Sequence, residues 1–579
     1  MIGDTHNDNK ALNHQGQKRS FGLYLDKRDI GILVFCSLVI NLFSLAVPLV
    51  TLQVYDRILA FQSIGTLQVL VAGVAVIVAL DIVLRLCRSS MIGWASARFE
   101  HAAFSRTLRH LMGAKFQKLK DYSSAEQLHR IGAIAKLKSF YSGQSLISLI
   151  DLPFVLVFLG FIAYLAGWLV LVPVVLLCLF GVFALVLGHN MKRTILMRDE
   201  DDDRRINFVS EILEHIHTVK MQGLEASFLR RHEALQGQNI HDLHILTSHN
   251  AQGYNAASLF TQIMMIMMVS VGALMALSGQ ITMGVLIACV LLSGRIMQPV
   301  QRALSFWVSF QEYLLAKDKI EELLALAQQE KISVDELKTP NGKLELEKLG
   351  FSYEDKAPLF YNLNLKLNSG KVIALVGPPG DGKTTLMKLI AGLYEPDIGR
   401  VLIDGMDVSK IPYGEIAKYI GYLPSESDIF QGSIMDNLTG FRPELEEQAL
   451  EIAKYLGIDR VVSKLAAGYR TVLFDGPADP VTPGMKQRIT IGRVLVNRPR
   501  ILLFDHADKS LDKEGYNHVF RLLGQLKGQA SMVLVSNDRN ILHLAQEEYM
   551  ISDGTLVSVD DETVSKSGDV IRPFKELRL

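Results

Sequence analysis

Apolar residues are crowded into the first half of this chain. Runs long enough to cross a bilayer, which takes about 20 residues of helix, occur near 30–51, 66–86, 144–166, 167–188, 256–277 and 281–300. The pattern predicts six membrane-spanning helices. Long polar segments follow the second and fourth runs. One of them, "RINFVSEILEHIHTVKMQ" (Arg205–Gln222), places apolar residues at helical spacing. Long helices are therefore expected to extend beyond the bilayer. After Gln301 the chain becomes polar, through the helical "KDKIEELLALAQQEK" and a loop at Thr339–Gly342. Short strands with turn signals follow, then alternating strands and helices, the signature of an α/β domain.

The predicted architecture is multi-domain: a six-helix transmembrane domain followed by an α/β P-loop nucleotide-binding domain. Its expected parts are a cytosolic N-terminal tail (1–28), the transmembrane domain with long cytosolic helical extensions (29–312), a linker (313–342) and the nucleotide-binding domain (343–579). The tail is polar, and no cleavable signal is expected in it.

Charge sets the expected orientation. Lys18, Arg19, Lys27 and Arg28 precede the first run, and Lys/Arg residues crowd the segments after the second and fourth runs. The connections "AGW" and "SGQIT" carry no charge. Positive-inside bias places both termini in the cytosol. Overall, 60 Lys and Arg balance 60 Asp and Glu, so no global field recruits nucleic acid. Mean hydropathy is +0.22, which fits a membrane part joined to a polar part. Cys36, Cys87, Cys178 and Cys289 show no metal-ligand spacing and read as small apolar fillers.

Polar residues interrupt the apolar runs. Asp81 and Arg85, four apart, suit an ion pair on one helix face, or else a role in transport. Asp151 precedes Pro153 and fits a local kink. The Met-rich "QIMMIMMVSVGALM" reads as packing or lipid-facing surface, or else an adaptable cavity wall.

The strongest motif is "GPPGDGKT", Gly377–Thr384, which fits GxxxxGK[ST] between a buried-strand pattern and a helix pattern. Gly377, Pro378, Pro379, Gly380, Asp381, Gly382, Lys383, Thr384 and Thr385 are the expected phosphate-binding residues. Backbone N–H groups would wrap the phosphates, and Lys383 would reach their oxygens. Thr384 and Asp505, the latter ending the apolar strand "ILLF", are the expected magnesium ligands. The expected cofactors are ATP and Mg2+.

These features together resemble a half-size ABC exporter. The runs "NLFSLAVPLVTLQVYDRIL", "LIDLPFVLVFLGFIA" and "GVLIACVLLSGRIMQPV" are most similar to type I protein-secretion exporters of Gram-negative bacteria. The resemblance implies inner-membrane location and a second exporter half as partner. A periplasmic adaptor and an outer-membrane channel are further partners it suggests. It also assigns roles. Tyr353 matches the aromatic residue that stacks on adenine. Ser425 stands where the family has a magnesium-positioning glutamine. The signature LSGGQ reads here as Val481, Thr482, Pro483, Gly484 and Met485. His506 replaces the catalytic glutamate, Asn537 replaces the switch histidine, and Leu511 and Asp512 are kept.

Three changes around one γ-phosphate argue for ATP binding without efficient turnover, because in-line transfer to water depends on positioned groups acting together. In ABC cassettes each ATP lies between one chain's phosphate loop and the other's signature. An intact partner would therefore leave one working site, which makes the degenerate half of a heterodimer the leading expectation. A homodimeric exporter of a small amphiphile with slow hydrolysis, or an ATP-binding membrane regulator that transports nothing, remains open on the sequence.

Overall fold

The computed structural model describes residues 27–120, 122–142, 144–328, 340–353, 357–474 and 479–559. Apart from Lys27 and Arg28, the expected tail lies outside them, as do residues 329–339 of the expected linker. The chain divides into two compact units. One comprises residues up to Met112 together with Tyr122–Leu326; the other comprises Gly113–Asp121 with Ala327–Leu579.

Among the described residues, five helical stretches of the first unit are long and apolar enough to cross a membrane: Arg28–Phe61, Ile64–Gly113, Ile147–Glu214, Glu225–Leu277 and Met283–Ala325. The third breaks at Gly167, whose φ of +53° suits a residue without Cβ. The break separates helix Phe154–Ala166 from helix Leu171–Glu214 and brings the apolar segments to six. Ile64–Gly113 has 50 residues and Glu225–Leu277 has 53. At about 1.5 Å per residue each is more than twice the hydrocarbon thickness of about 30 Å. The last helix continues past residue 312 to Ala325. The most apolar window of Ile64–Gly113 buries nothing, and Val69, Val71 and Val76 are exposed along it. Such a face is stable against lipid, where no water has to be ordered around it.

The unit's core joins Phe158, Ile162, Leu169, Met264, Met268, Leu292 and Ile296. The Met-rich run therefore divides by helical period. Met264 and Met268, four apart, point inward, whereas Met265 and Met267 are exposed. Asp81 and Arg85 pair at 2.7 Å. The helix that contains Asp151 ends there, and the next starts at Phe154, across Pro153. The Asp151 carboxylate does more than accompany this kink. It accepts from Asn41 Nδ2 at 3.0 Å and Arg88 Nη1 at 3.3 Å, with Arg302 Nη1 at 3.7 Å. Arg88 also donates to the Ser37 hydroxyl. Burying these charges is tolerable because each faces a partner.

Among the described residues the second unit has twelve strands. In chain order they are β1 (Leu344–Phe351), β2 (Phe360–Leu367), β3 (Val372–Val376), β4 (Ile398–Ile403), β5 (Met406–Asp407) and β6 (Ile420–Leu423). Then come β7 (Gly432–Ser433), β8 (Val472–Leu473), β9 (Ile501–Asp505), β10 (Ser531–Val535), β11 (Glu547–Ser552) and β12 (Thr555–Ser558). The first sheet is antiparallel, in the order β2-β1-β4-β5. The second runs β12-β11-β3-β10-β9-β6 and is parallel except for β12. β7 and β8 form a separate pair. Strands β9 and β10 are buried at every residue, as a parallel sheet covered on both faces requires. Leu375, Leu386, Leu503 and Val533 fill one side of this sheet, and Ile489, Leu502, Phe504 and Leu534 the other. The segment 113–121 packs within this unit: Lys115 pairs with Glu395 at 2.6 Å, and the Phe116 ring lies 6.1 Å from that of Tyr394.

Candidate nucleotide site

The parallel sheet assembles the site at the carboxyl ends of its strands. Four adjacent strands, β3, β10, β9 and β6, run the same way. Val535 of β10 pairs with Asp505 of β9, and Leu423 of β6 with Phe504 of β9, so their ends are level. The loop after β3 is Gly377–Gly382. The loops after β6, β9 and β10 begin with Pro424–Ser425, His506 and Ser536–Asn537. Residues far apart in sequence are thus brought to one edge, the usual ligand position in such sheets.

The phosphate loop leads into helix Lys383–Ile390. Gly377, Gly380 and Gly382 take φ of +134°, +95° and +99°. A Cβ on Gly382 would also lie 2.8 Å from the Phe360 ring, so only glycine fits there. Gly377, Pro378, Pro379 and Gly380 are exposed and leave the hollow open. Lys383 Nζ donates to the carbonyls of Gly377 and Pro378, each at 2.9 Å, and pairs with Asp381. The Asp381 side chain is therefore an acceptor inside the loop; only its backbone could donate to a phosphate. Thr385 is buried, and its hydroxyl lies 2.8 Å from that of Tyr353. Tyr353 stands edge-on to Phe351 and Tyr394 and remains 38% exposed, which leaves part of its ring free for a ligand.

Asp505 is only 3% exposed and is held at both oxygens. Oδ1 accepts from the Thr384 hydroxyl at 3.1 Å, and Oδ2 accepts from the Tyr422 hydroxyl at 2.8 Å. Burial, and then the Asp505 carboxylate, push the Tyr422 hydroxyl well above the ordinary phenol range, so it stays protonated and donates. Tyr422 was missed by motif reading, although its alternation in "IGYL", three residues before Ser425, marks the strand face it occupies. The Thr384 and Asp505 oxygens suit a hard cation, whose bound role is to offset phosphate charge. Among the described residues no group of three or more His, Cys, Asp or Glu could hold a metal, so the remaining ligands would be phosphate or water oxygens.

Ser425 and His506 sit on anchored backbone. His506 takes φ +53°; its N–H donates to Val535 O at 2.8 Å, and its carbonyl accepts from Lys509 N. Histidine is among the residues that tolerate this left-handed region. The Ser425 carbonyl accepts from the Ser510 hydroxyl at 3.2 Å. Asn537 is exposed, next to Ser536, whose hydroxyl donates to Asp508 at 2.8 Å. Gln487, buried, donates to both Pro424 O and Ala507 O and so ties the β6 and β9 loops together.

The signature region begins helix Pro483–Leu495. Thr482 is its N-cap and accepts from Met485 N at 3.3 Å; Pro483 occupies the first turn, where a missing N–H costs least. Thr482 and Pro483 are exposed, whereas Val481 and Met485 are buried. Gly484 packs against the loop ending in Asp512: a Cβ there would be 3.0 Å from Asp512 N. Asp512 caps the next helix through Gly515 N at 2.9 Å.

A sheet of this topology, with this phosphate loop and an apolar helical unit ahead of it, defines a membrane transporter powered by nucleotide. The chain belongs to the ABC transporters: the ABC transporter transmembrane region matches residues 30–300, and the ABC transporter family matches residues 360–509. Among named proteins it is similar to the exotoxin translocation ATP-binding protein PaxB of Pasteurella aerogenes. The two are 27% identical over 529 residues, which cover 90% of this chain and 73% of that one. It is 26% identical to the alpha-hemolysin translocation ATP-binding protein HlyB of Escherichia coli O157:H7 over 547 residues, 93% of this chain and 77% of the other. It is also 26% identical to the leukotoxin export ATP-binding protein LtxB of Aggregatibacter actinomycetemcomitans, over 90% of this chain and 74% of that one. The chain is therefore a multi-pass ABC exporter homologous to type I secretion ATP-binding proteins, with a nucleotide-binding domain.

Proposed function

We propose that this chain is the catalytically weak half of an inner-membrane type I exporter that moves polypeptide and pairs with a second, intact ABC half. Both termini face the cytosol. Its cassette binds magnesium-ATP through Lys383, Thr384 and Asp505, with Tyr353 against the adenine. The observation that carries this reading is the level edge of β3, β10, β9 and β6. It sets a complete phosphate loop beside three side chains, Ser425, His506 and Asn537, none of which is a carboxylate. Water attacking a phosphoryl group needs an oriented acceptor and fixed charge. An imidazole at His506 supplies no negative charge, and Ser425 is shorter than a glutamine. The toxin translocation and export named for the relatives supports polypeptide as cargo, handed to a periplasmic adaptor and outer-membrane channel.

ATPase assays on the purified full chain, alone and in the native complex, test the proposal. The isolated chain should turn over little ATP, and His506→Glu alone should add little. Ser425→Gln, His506→Glu and Asn537→His together should add much more, since groups acting on one transition state are not additive. In the complex His506→Ala should leave turnover nearly unchanged, while Thr482→Ala slows it. Robust hydrolysis by the isolated chain that His506→Ala abolishes would overturn the reading and make the histidine the working base.

A further inference from the structure

The phosphate loop contains an acid. Asp381 sits between Gly380 and Gly382, and its carboxylate turns back into the loop. Oδ1 and Oδ2 each lie 2.9 Å from Lys383 Nζ, and Oδ1 also accepts from the Lys383 backbone N–H at 3.3 Å. The side chains of Lys383 and Asp381 are only 11% and 8% exposed. Oδ2 reaches the start of the loop, where a Cβ on Gly377 would lie 2.4 Å from it. An ammonium and a backbone N–H at the start of a helix are the donors a phosphate oxygen would use. Here one carboxylate engages both.

The geometry points to Asp381 as a built-in competitor for the phosphate cradle: its carboxylate ligates Lys383, and a nucleotide must displace it to bind. The inference rests on the assignment of Gly377–Thr384 as the phosphate loop. The carboxylate and a triphosphate repel each other across the few ångströms of the loop, so both cannot share the ammonium on equal terms. Gly380 and Gly382, at φ +95° and +99°, flank the acid and give its backbone room to rotate outward. The opposite possibility, that Asp381 merely braces the loop, predicts the opposite sign. Removing a brace loosens the cradle and weakens binding, whereas removing a competitor tightens it.

The test uses the full-length chain in lipid nanodiscs, titrated with a fluorescent ATP analogue in magnesium and competed with unlabelled ATP and inorganic pyrophosphate. Asp381→Ser and the shape-preserving Asp381→Asn should each tighten ATP about tenfold and pyrophosphate by a similar factor. Thermal melting of the same samples checks that they are folded. Should Asp381→Ser fail to fold, Asp381→Asn carries the comparison. Unchanged or weaker ATP binding by a folded Asp381→Asn overturns the inference while leaving the phosphate loop in place. Lys383→Ala should lose ATP binding in the wild-type and Asp381→Asn backgrounds alike. Wild-type affinity in Lys383→Ala would overturn the loop assignment and the inference with it.

Discussion

Tyr422→Phe deletes one hydroxyl and nothing else. Its partner, Asp505 Oδ2, is 2.8 Å away in a residue 3% exposed. A hydrogen bond to a buried carboxylate contributes about 1.5–3 kcal/mol. Without it, among the described residues the Thr384 hydroxyl at 3.1 Å remains as the side-chain donor to Asp505. A loss of about 2 kcal/mol corresponds to a melting temperature lower by about 4–8 °C for a domain of this size. Differential scanning fluorimetry of the full chain reads that shift. The control is a double-mutant cycle with Asp505→Asn, which removes the charge that makes the bond strong. In that background Tyr422→Phe should cost much less, because two groups joined by one interaction are not additive. An equal shift in both backgrounds, or none in either, would show that the tyrosine does not hold the aspartate.

Three further outcomes follow from local geometry. Ser433 caps helix Ile434–Thr439 and shares a capping box with Asp436; Ser433→Ala should cost about 1 kcal/mol in thermal melts. The Ser433 hydroxyl, and then its backbone N–H, hold the Asp436 carboxyl below its ordinary range. A lowered carboxylate pKa stabilises the fold above the unfolded value, so the wild-type advantage should persist near neutrality and fade only as pH falls below 3.8. Gly484→Ala brings a methyl to 3.0 Å from Asp512 N and should destabilise by about 1–3 kcal/mol, read as a lower melting temperature. Arg88→Leu leaves Asp151 short of its most buried cationic partner and should cut the yield of folded protein sharply, whereas Arg88→Leu with Asp151→Leu should restore much of it.

The sequence made the large divisions legible because their physics is local and repeated. Six apolar runs need only about 20 residues each of one character, and the phosphate loop announces itself by glycines at fixed spacing. The Met264/Met268 split was implicit in helical period but not in which face turns inward. What could not be read was long-range pairing of single polar groups. Arg88 lies just beyond the second apolar run, and nothing nearby marks Asp151 as its partner. Tyr422 looks like one more alternating strand residue until β6 is laid beside β9. The left-handed turn at His506 is equally silent in sequence, because its cause is the register that brings Val535 O to the His506 N–H. Asp381 was read as one of the phosphate-loop residues; only the folded loop shows its carboxylate spent on Lys383.

The way the site is anchored explains how binding and hydrolysis can come apart in one cassette. The groups proposed to hold nucleotide are tied by their side chains: Lys383 to the carbonyls of Gly377 and Pro378, Thr384 to Asp505, Asp505 to Tyr422. Changing any of them breaks the bonds that shape the loop. Ser425 and His506 are held by their main chains, through Ser510 and Val535, and Asn537 follows the Ser536–Asp508 bond without sharing it. Their side chains can therefore vary without moving the strand ends. On the proposed reading, substitutions at these three positions would cost chemistry but not fold, so a chain partnered by an intact half would lose its own water-handling groups and keep its cradle. Thr482 fits the same logic from the other side. Its hydroxyl caps a helix of this chain and the residue is exposed, so the helix itself favours it whatever happens at His506, and on the proposed reading it would face a nucleotide held by the partner.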